Sequence, residues 1–128
     1  MPFDHPTPAP IGDLEILLET RDRIERRERW LQRLFEDGDR HCLVAALSLA
    51  CGSPSFYAPN KLERRLARVL ARQIPPEASW WTRFELVSAR RRLMSFNDDR
   101  RTCHENVIAL VDRTIDQLMI KVPQFVSV

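Results

Sequence analysis

Glycine is scarce, with only Gly12, Gly38 and Gly52 in a chain of 128 residues. No glycine-rich phosphate loop can be assembled from them, and neither a serine-centred elbow nor a paired-glutamate motif is present. Cysteine is equally sparse. Cys42, Cys51 and Cys103 are an odd number in a chain long enough to fold without covalent staples, so reduced thiols are expected. No apolar run approaches the roughly 20 residues that cross a bilayer. Residues 1–10 lack the basic start and apolar centre of a secretory signal, so a cytoplasmic location without membrane association is expected. Lysine is nearly missing: of 20 Lys and Arg residues only Lys61 and Lys121 are lysines, and the formal net charge is +2. Charge alone therefore favours no polyanionic partner. Strict alternation and Val/Ile enrichment are also absent, which leaves no material for a sheet of any size.

What is present is the composition of a globular protein, 44% apolar and 30% charged, in a length that suits one domain with one core. Pro2, Pro6, Pro8 and Pro10 make residues 1–11 an extended arm. A first helix is expected from Gly12-Asp13, with Asp13 as cap, to about Glu36. Its apolar side is Leu14, Leu17, Leu18, Ile24, Leu31, Leu34 and Phe35. Its exposed side carries Glu19–Arg23, Asp22–Arg26 and Glu25–Arg29 at i,i+4, with the acid first in each pair. Asp37-Gly38-Asp39 should break it.

The segment from His41 to Cys51 is apolar almost all round and predicts a central helix closed by Gly52. A loop with Phe56 and Tyr57 follows. Asn60, three residues before Glu63, predicts the cap of a third helix that runs to about Gln73 with Leu62, Leu66, Val69, Leu70 and Ile74 inward. A fourth helix is expected to open between Pro76 and Ser79 and to bury Trp80, Trp81, Phe84 and Val87 before Arg90-Arg91-Arg92. Asn97-Asp98-Asp99 reads as a turn. The Thr102-x-x-Glu105 spacing reads as a capping box for a last helix, against which the other helices should pack. Residues 122–128 form an apolar tail. The expected architecture is all-α, a compact bundle of about five helices over residues 12–121.

Several short patterns occur in a fixed order: Trp30-Leu31-Gln32, Asp37-Gly38, Cys42-Leu43-Val44-Ala45-Ala46-Leu47, and Phe96-Asn97-Asp98 with Arg101-Thr102. In this the chain resembles a bacterial family known as domain-of-unknown-function family 6197, over Leu14 to Leu118. It departs from that pattern at Phe96, where a Trp is usual, and at Ala45, where a Gly is usual. The resemblance implies a small helical domain and brings no activity with it.

Three kinds of site can be built from the residues. Soft metal ligands occur at His41-Cys42, Cys51 and Cys103-His104, but neighbours on a helix point about 100 degrees apart, so structural thiols and surface histidines are the favoured reading, with no metal or cofactor. Cys103, in the first turn of a helix with His104, Asn97 and Asp98 close in sequence, is the centre of a conceivable thiol enzyme, the least favoured class. Lys61, Arg64, Arg65, Arg68 and Arg72 fall at i, i+3, i+4, i+7 and i+11, a cationic face suited to phosphate contacts that Arg90 to Arg92 would extend. The favoured reading is a non-catalytic module for protein interaction or self-association, including a homodimer, through the Phe56-Tyr57 loop and the apolar tail. A nucleic-acid-binding accessory protein is the alternative. Trp30, Gln32, Cys42, Asn97, Asp98, Arg101, Thr102 and His104 are motif residues that meet either at a pocket or in a packed joint.

Overall fold

A computed structural model describes residues 9–78 and 87–121. The residues expected to form most of the arm (1–8), the run containing Trp80, Trp81 and Phe84, and the tail from residue 122 lie outside the described residues. The architecture is all-α with one minimal hairpin. Its elements are α1 (Ala9–Ile24), a 3-10 turn (Arg27–Arg29), β1 (Glu36–Asp37), β2 (Arg40–His41), α2 (Leu43–Cys51), α3 (Lys61–Ala71), α4 (Ala89–Asp98) and α5 (His104–Lys121).

The most apolar helix lies at the centre. Leu43 to Ser48 are all buried, and α1, α3 and α4 pack around α2. Helix α5, expected to be the piece on which the others rest, packs instead on α1 and α3, burying Val107, Leu110, Val111 and Ile115. The reason is composition: a helix with Asp112, Arg113, Asp116 and Gln117 on one side can give only a stripe to the core, whereas α2 buries seven of its nine residues and leaves only Leu49 exposed. Gly52 ends α2 in the left-handed conformation, at φ 72°. A Cβ there would meet no atom within 4 Å. Gly52→Ala is therefore expected to cost only the backbone penalty, about 1 kcal/mol, read as a lowered urea midpoint with an unchanged slope.

Helix α1 differs from expectation at both ends. It starts at Ala9, taking Pro10 into its first turn, where a missing N–H costs nothing. Asp13 is thus no cap; its carboxylate holds Arg65 of α3 at 2.5 and 2.9 Å. The helix stops at Ile24, about three turns early. Of the expected charge pairs Glu19–Arg23 forms, at 2.8 Å, whereas Glu25 turns back to Arg21 at 3.6 Å because residue 29 is no longer one turn ahead. The backbone of 30–35 has better partners elsewhere: the Leu31 amide donates to the His41 carbonyl at 3.0 Å and the Cys42 amide to the Phe35 carbonyl at 3.1 Å. Tertiary partners here outweigh helix propensity. Asp37-Gly38-Asp39 therefore breaks no helix; Gly38, at φ 66°, and Asp39 form the two-residue turn between β1 and β2.

Helix α3 begins as the sequence requires, with the Asn60 side chain accepting from the Glu63 amide at 2.8 Å. Past the turn that the Ala78 amide closes on the Pro75 carbonyl at 3.0 Å, the helix expected to open between Pro76 and Ser79 falls on residues outside the described ones, and the next described helix is α4. It starts at Ala89 behind Ser88, whose hydroxyl accepts from the Arg91 amide at 3.3 Å, and it contains Arg90 to Arg92. Leu93 and Phe96 are its buried side, and Asn97 and Asp98 are its last helical residues, not the start of a turn. The turn comes at 99–102, closed by Thr102 N–H to the Asp99 carbonyl at 3.0 Å. That bond commits Thr102 to the turn, so the capping box shifts by one residue: Asn106 Oδ1 accepts from the Cys103 amide at 2.8 Å, in place of Glu105 reaching Thr102.

Candidate functional site

The motif residues converge on the buried end of α4. Asn97 is fully buried. Its Oδ1 accepts from Trp30 Nε1 at 2.7 Å and from the Leu43 amide at 3.2 Å, and its Nδ2 donates to the Leu31 carbonyl at 3.0 Å and to Asp98 Oδ1 at 2.9 Å. All the hydrogen-bonding capacity usable by one carboxamide is spent on the protein itself. Asp98 Oδ1 also accepts from the Arg33 amide at 2.8 Å, at the one non-glycine residue with positive φ among those described, 73°. Gln32 Nε2 lies 2.9, 3.0 and 3.3 Å from the carbonyls of Asn97, Asp99 and Thr102, closing the end of α4 and the turn after it. His104 Nε2 is 2.6 Å from the Ile24 carbonyl at the end of α1, and its ring lies 5.8 Å from that of Trp30. Arg101 donates to Asp99 through its backbone and its guanidinium, at 2.8 and 3.3 Å. Three chain segments far apart in sequence are thereby joined by side-chain amides and one indole.

Cys42 caps α2, its sulfur accepting from the Ala45 amide at 3.3 Å. Burial pushes its thiol pKa up, and burial followed by the nearby Glu63 charge pushes that of Cys51 up to about 12. Cys103 is exposed and directs its thiol to Asn106 Oδ1 at 3.1 Å. Cys103 is thus engaged apart from the other residues considered for a thiol site, with the His104 ring nitrogen on the end of α1 and the Asn97 amide bonded to Asp98 in the core. Among the described residues, no three His, Cys, Asp or Glu side chains are grouped so as to hold a metal ion. Burial, which raises both thiol pKa values, keeps Cys42 and Cys51 protonated and shielded at neutral and mildly alkaline pH. With iodoacetamide at pH 8, rapid uptake of one label at Cys103 is expected, with the other two cysteines labelled only on unfolding; mass mapping of the labelled peptides checks it.

A second centre was not visible in the sequence. Glu63 is fully buried, although the helical phase of the cationic face would set it off to the side of α3. Its carboxylate accepts from Ser53 Oγ at 2.6 Å and from Arg90 Nε at 2.8 Å, and Ser53 Oγ in turn accepts from the Asn60 amide at 3.1 Å. The carboxylate thus reaches the helix start through a hydroxyl. Its signal was the spacing: Glu63 precedes Leu66, Ala67, Leu70 and Ala71 on the inward stripe. The Arg90 guanidinium also donates to the Phe56 carbonyl and sits 5.6 Å from the centre of the Phe35 ring. Phe35 lies 5.3 Å from Phe56 and meets Tyr57 edge-on at 5.2 Å.

This bracing leaves an apolar ridge outside. Tyr57 is 83% exposed and Leu34 59%, with Leu49 also exposed. Clefts open on either side of Tyr57. One, of about 190 Å³, is lined by Leu34, Phe35, Cys42 and Met94; the other, of about 270 Å³, by Ser48, Leu49, Pro54 and Phe56. Ser48 Oγ is buried at the second with no hydrogen-bond partner among the described residues.

The cationic face of α3 forms as expected, with Lys61, Arg64, Arg65, Arg68 and Arg72 all exposed. Arg65 is occupied by Asp13, which raises its pKa through the hydrogen bond, and Arg90 turns inward to Glu63 and does not extend the face.

The family described as "Family of unknown function (DUF6197)" matches residues 8–117. No curated protein and no solved structure matches the chain.

Proposed function

The chain belongs to the family of unknown function DUF6197, and from that premise we propose that it is a non-catalytic interaction module that binds a protein partner, or a second copy of itself, through the ridge of Leu34, Leu49 and Tyr57. One observation carries the reading: an aromatic side chain 83% exposed on a loop that Arg90, itself paired with the buried Glu63, braces from behind through the Phe56 carbonyl. Tyrosine offers a large contact area at low conformational cost, and a braced loop loses little entropy on docking. Tyr57→Ser with Leu34→Ser is expected to abolish self-association in sedimentation velocity, or capture of a partner, while the melting temperature stays unchanged, since both side chains are mostly outside the core. Association unaffected by the double substitution refutes the reading.

The alternative, a nucleic-acid-binding accessory protein, is supported by the exposure of Lys61, Arg64, Arg68 and Arg72 on one face of α3. Replacing Arg64, Arg68 and Arg72 by Glu should then flatten the salt dependence of duplex binding by about 0.9 for each phosphate that is no longer neutralised. Indifference to DNA and RNA at low salt removes this alternative.

A further inference from the structure

Arginines from two helices meet in one hollow. Arg64 and Arg68, one turn apart on α3, face Arg92 of α4 across a cleft of about 300 Å³ whose floor includes Ala67 and Ala89. Among the described residues no carboxylate lines it; the lining also includes Val87, Ser88 and Arg90, and Arg90 is already neutralised by Glu63. Arg64 and Arg68 have no acid partner among the described residues. Arg92 is fixed through one nitrogen, Nε, donating to the Val87 carbonyl at 3.2 Å, which leaves the outer edge of its guanidinium for another acceptor.

Three like charges held around one concavity repel each other, and an anion in their midst relieves that repulsion. The small alanine side chains provide the room. We propose that this cleft binds a phosphate monoester, with the guanidiniums of Arg64, Arg68 and Arg92 as its ligands. A dianionic oxygen tripod matches guanidinium forks better than it matches ammonium groups, and all three cations here are arginines. The cleft is at the small end of volumes that enclose a metabolite, and it is a hollow where a duplex backbone would need an open track. The first turn of α4 opens on the same space and adds its dipole to the field, but the assignment stands on the guanidiniums. This site is separate from the Tyr57 ridge and independent of its reading.

The test is a titration of the full-length, ¹⁵N-labelled chain at low salt with two probes, inorganic pyrophosphate and a short single-stranded oligonucleotide. Saturable pyrophosphate shifts are expected at the amides of Ser88, Ala89 and Arg90. Arg64→Ala with Arg68→Ala should weaken that binding at least about tenfold, whereas Arg72→Ala, at the C-terminal cap of α3 and outside the cleft, should leave it unchanged. Absence of saturable pyrophosphate binding overturns the proposal. So does an equal loss from Arg72→Ala, or oligonucleotide binding that is tighter than pyrophosphate binding and depends on Arg72, which would assign these cations to a nucleic-acid backbone. The substituted side chains are exposed or line the cleft rim, so a melting curve that matches the parent shows that any loss is one of binding.

Discussion

Asn97→Ala is expected to lower the unfolding free energy by about 3–5 kcal/mol, enough to consume a large share of the stability of a domain this size. The magnitude follows from what the substitution leaves behind. Trp30 Nε1, the Leu43 amide and the Leu31 carbonyl each lose a partner supplied by a fully buried side chain. A buried group left unsatisfied costs about 1–3 kcal/mol, and the three costs are partly relieved where water can enter. Asn97→Asp should also destabilise, because it keeps the acceptor but puts a charge in the core beside Asp98 and loses the two N–H donors. Urea unfolding followed by tryptophan fluorescence and circular dichroism measures both. A shift smaller than about 0.5 kcal/mol for Asn97→Ala would mean that these bonds form without holding the fold.

Arg90→Met is expected to cost about 3–5 kcal/mol, since it strands the fully buried Glu63 carboxylate with only the Ser53 hydroxyl to compensate it. It also releases the Phe56 carbonyl and removes the cation from the Phe35 ring, so the loop carrying Tyr57 should loosen. Combining Glu63→Leu with Arg90→Met should recover most of the loss, because an apolar pair of similar volume needs no counter-charge. A double variant as unstable as Arg90→Met alone would show that the loop bonds, and not the stranded charge, dominate. Hydrogen exchange at Tyr57 and Ala58 should rise in Arg90→Met even at temperatures where the helices stay protected.

Much of the helical framework was legible, because its determinants are local. The apolar circumference of α2, the Asn60 cap with Leu66 and Leu70 behind it, and the stripe through Val107, Val111 and Ile115 each occupy one short window of sequence. The end of α1 was not legible. Residues 25–29 are good helix formers with charge pairs at the right spacing, and what stops them is the set of partners waiting for residues 30–35, among them an asparagine 67 residues away from Trp30. The capping box was misplaced by one residue for a similar reason, since Thr102-x-x-Glu105 and Cys103-x-x-Asn106 satisfy the same spacing and only the Asp99–Thr102 turn decides between them. The motif residues Trp30, Gln32, Asn97 and Asp98 stood out in the sequence, but the bonds that join them could not be read from spacing. Glu63 was legible as the third residue after the Asn60 cap but not as a buried one, because a charged residue on an inward stripe looks like an error of phase until Arg90 is placed beside it.

The central claim is that the polar motif around Asn97 is an internal joint holding distant segments together. A double-mutant cycle between Trp30→Phe and Asn97→Ala tests it most directly, read by urea unfolding with circular dichroism. The joint predicts strong non-additivity, with a coupling energy of about 1–3 kcal/mol, because the second substitution removes a bond the first has already broken. Strict additivity of the two losses would contradict it.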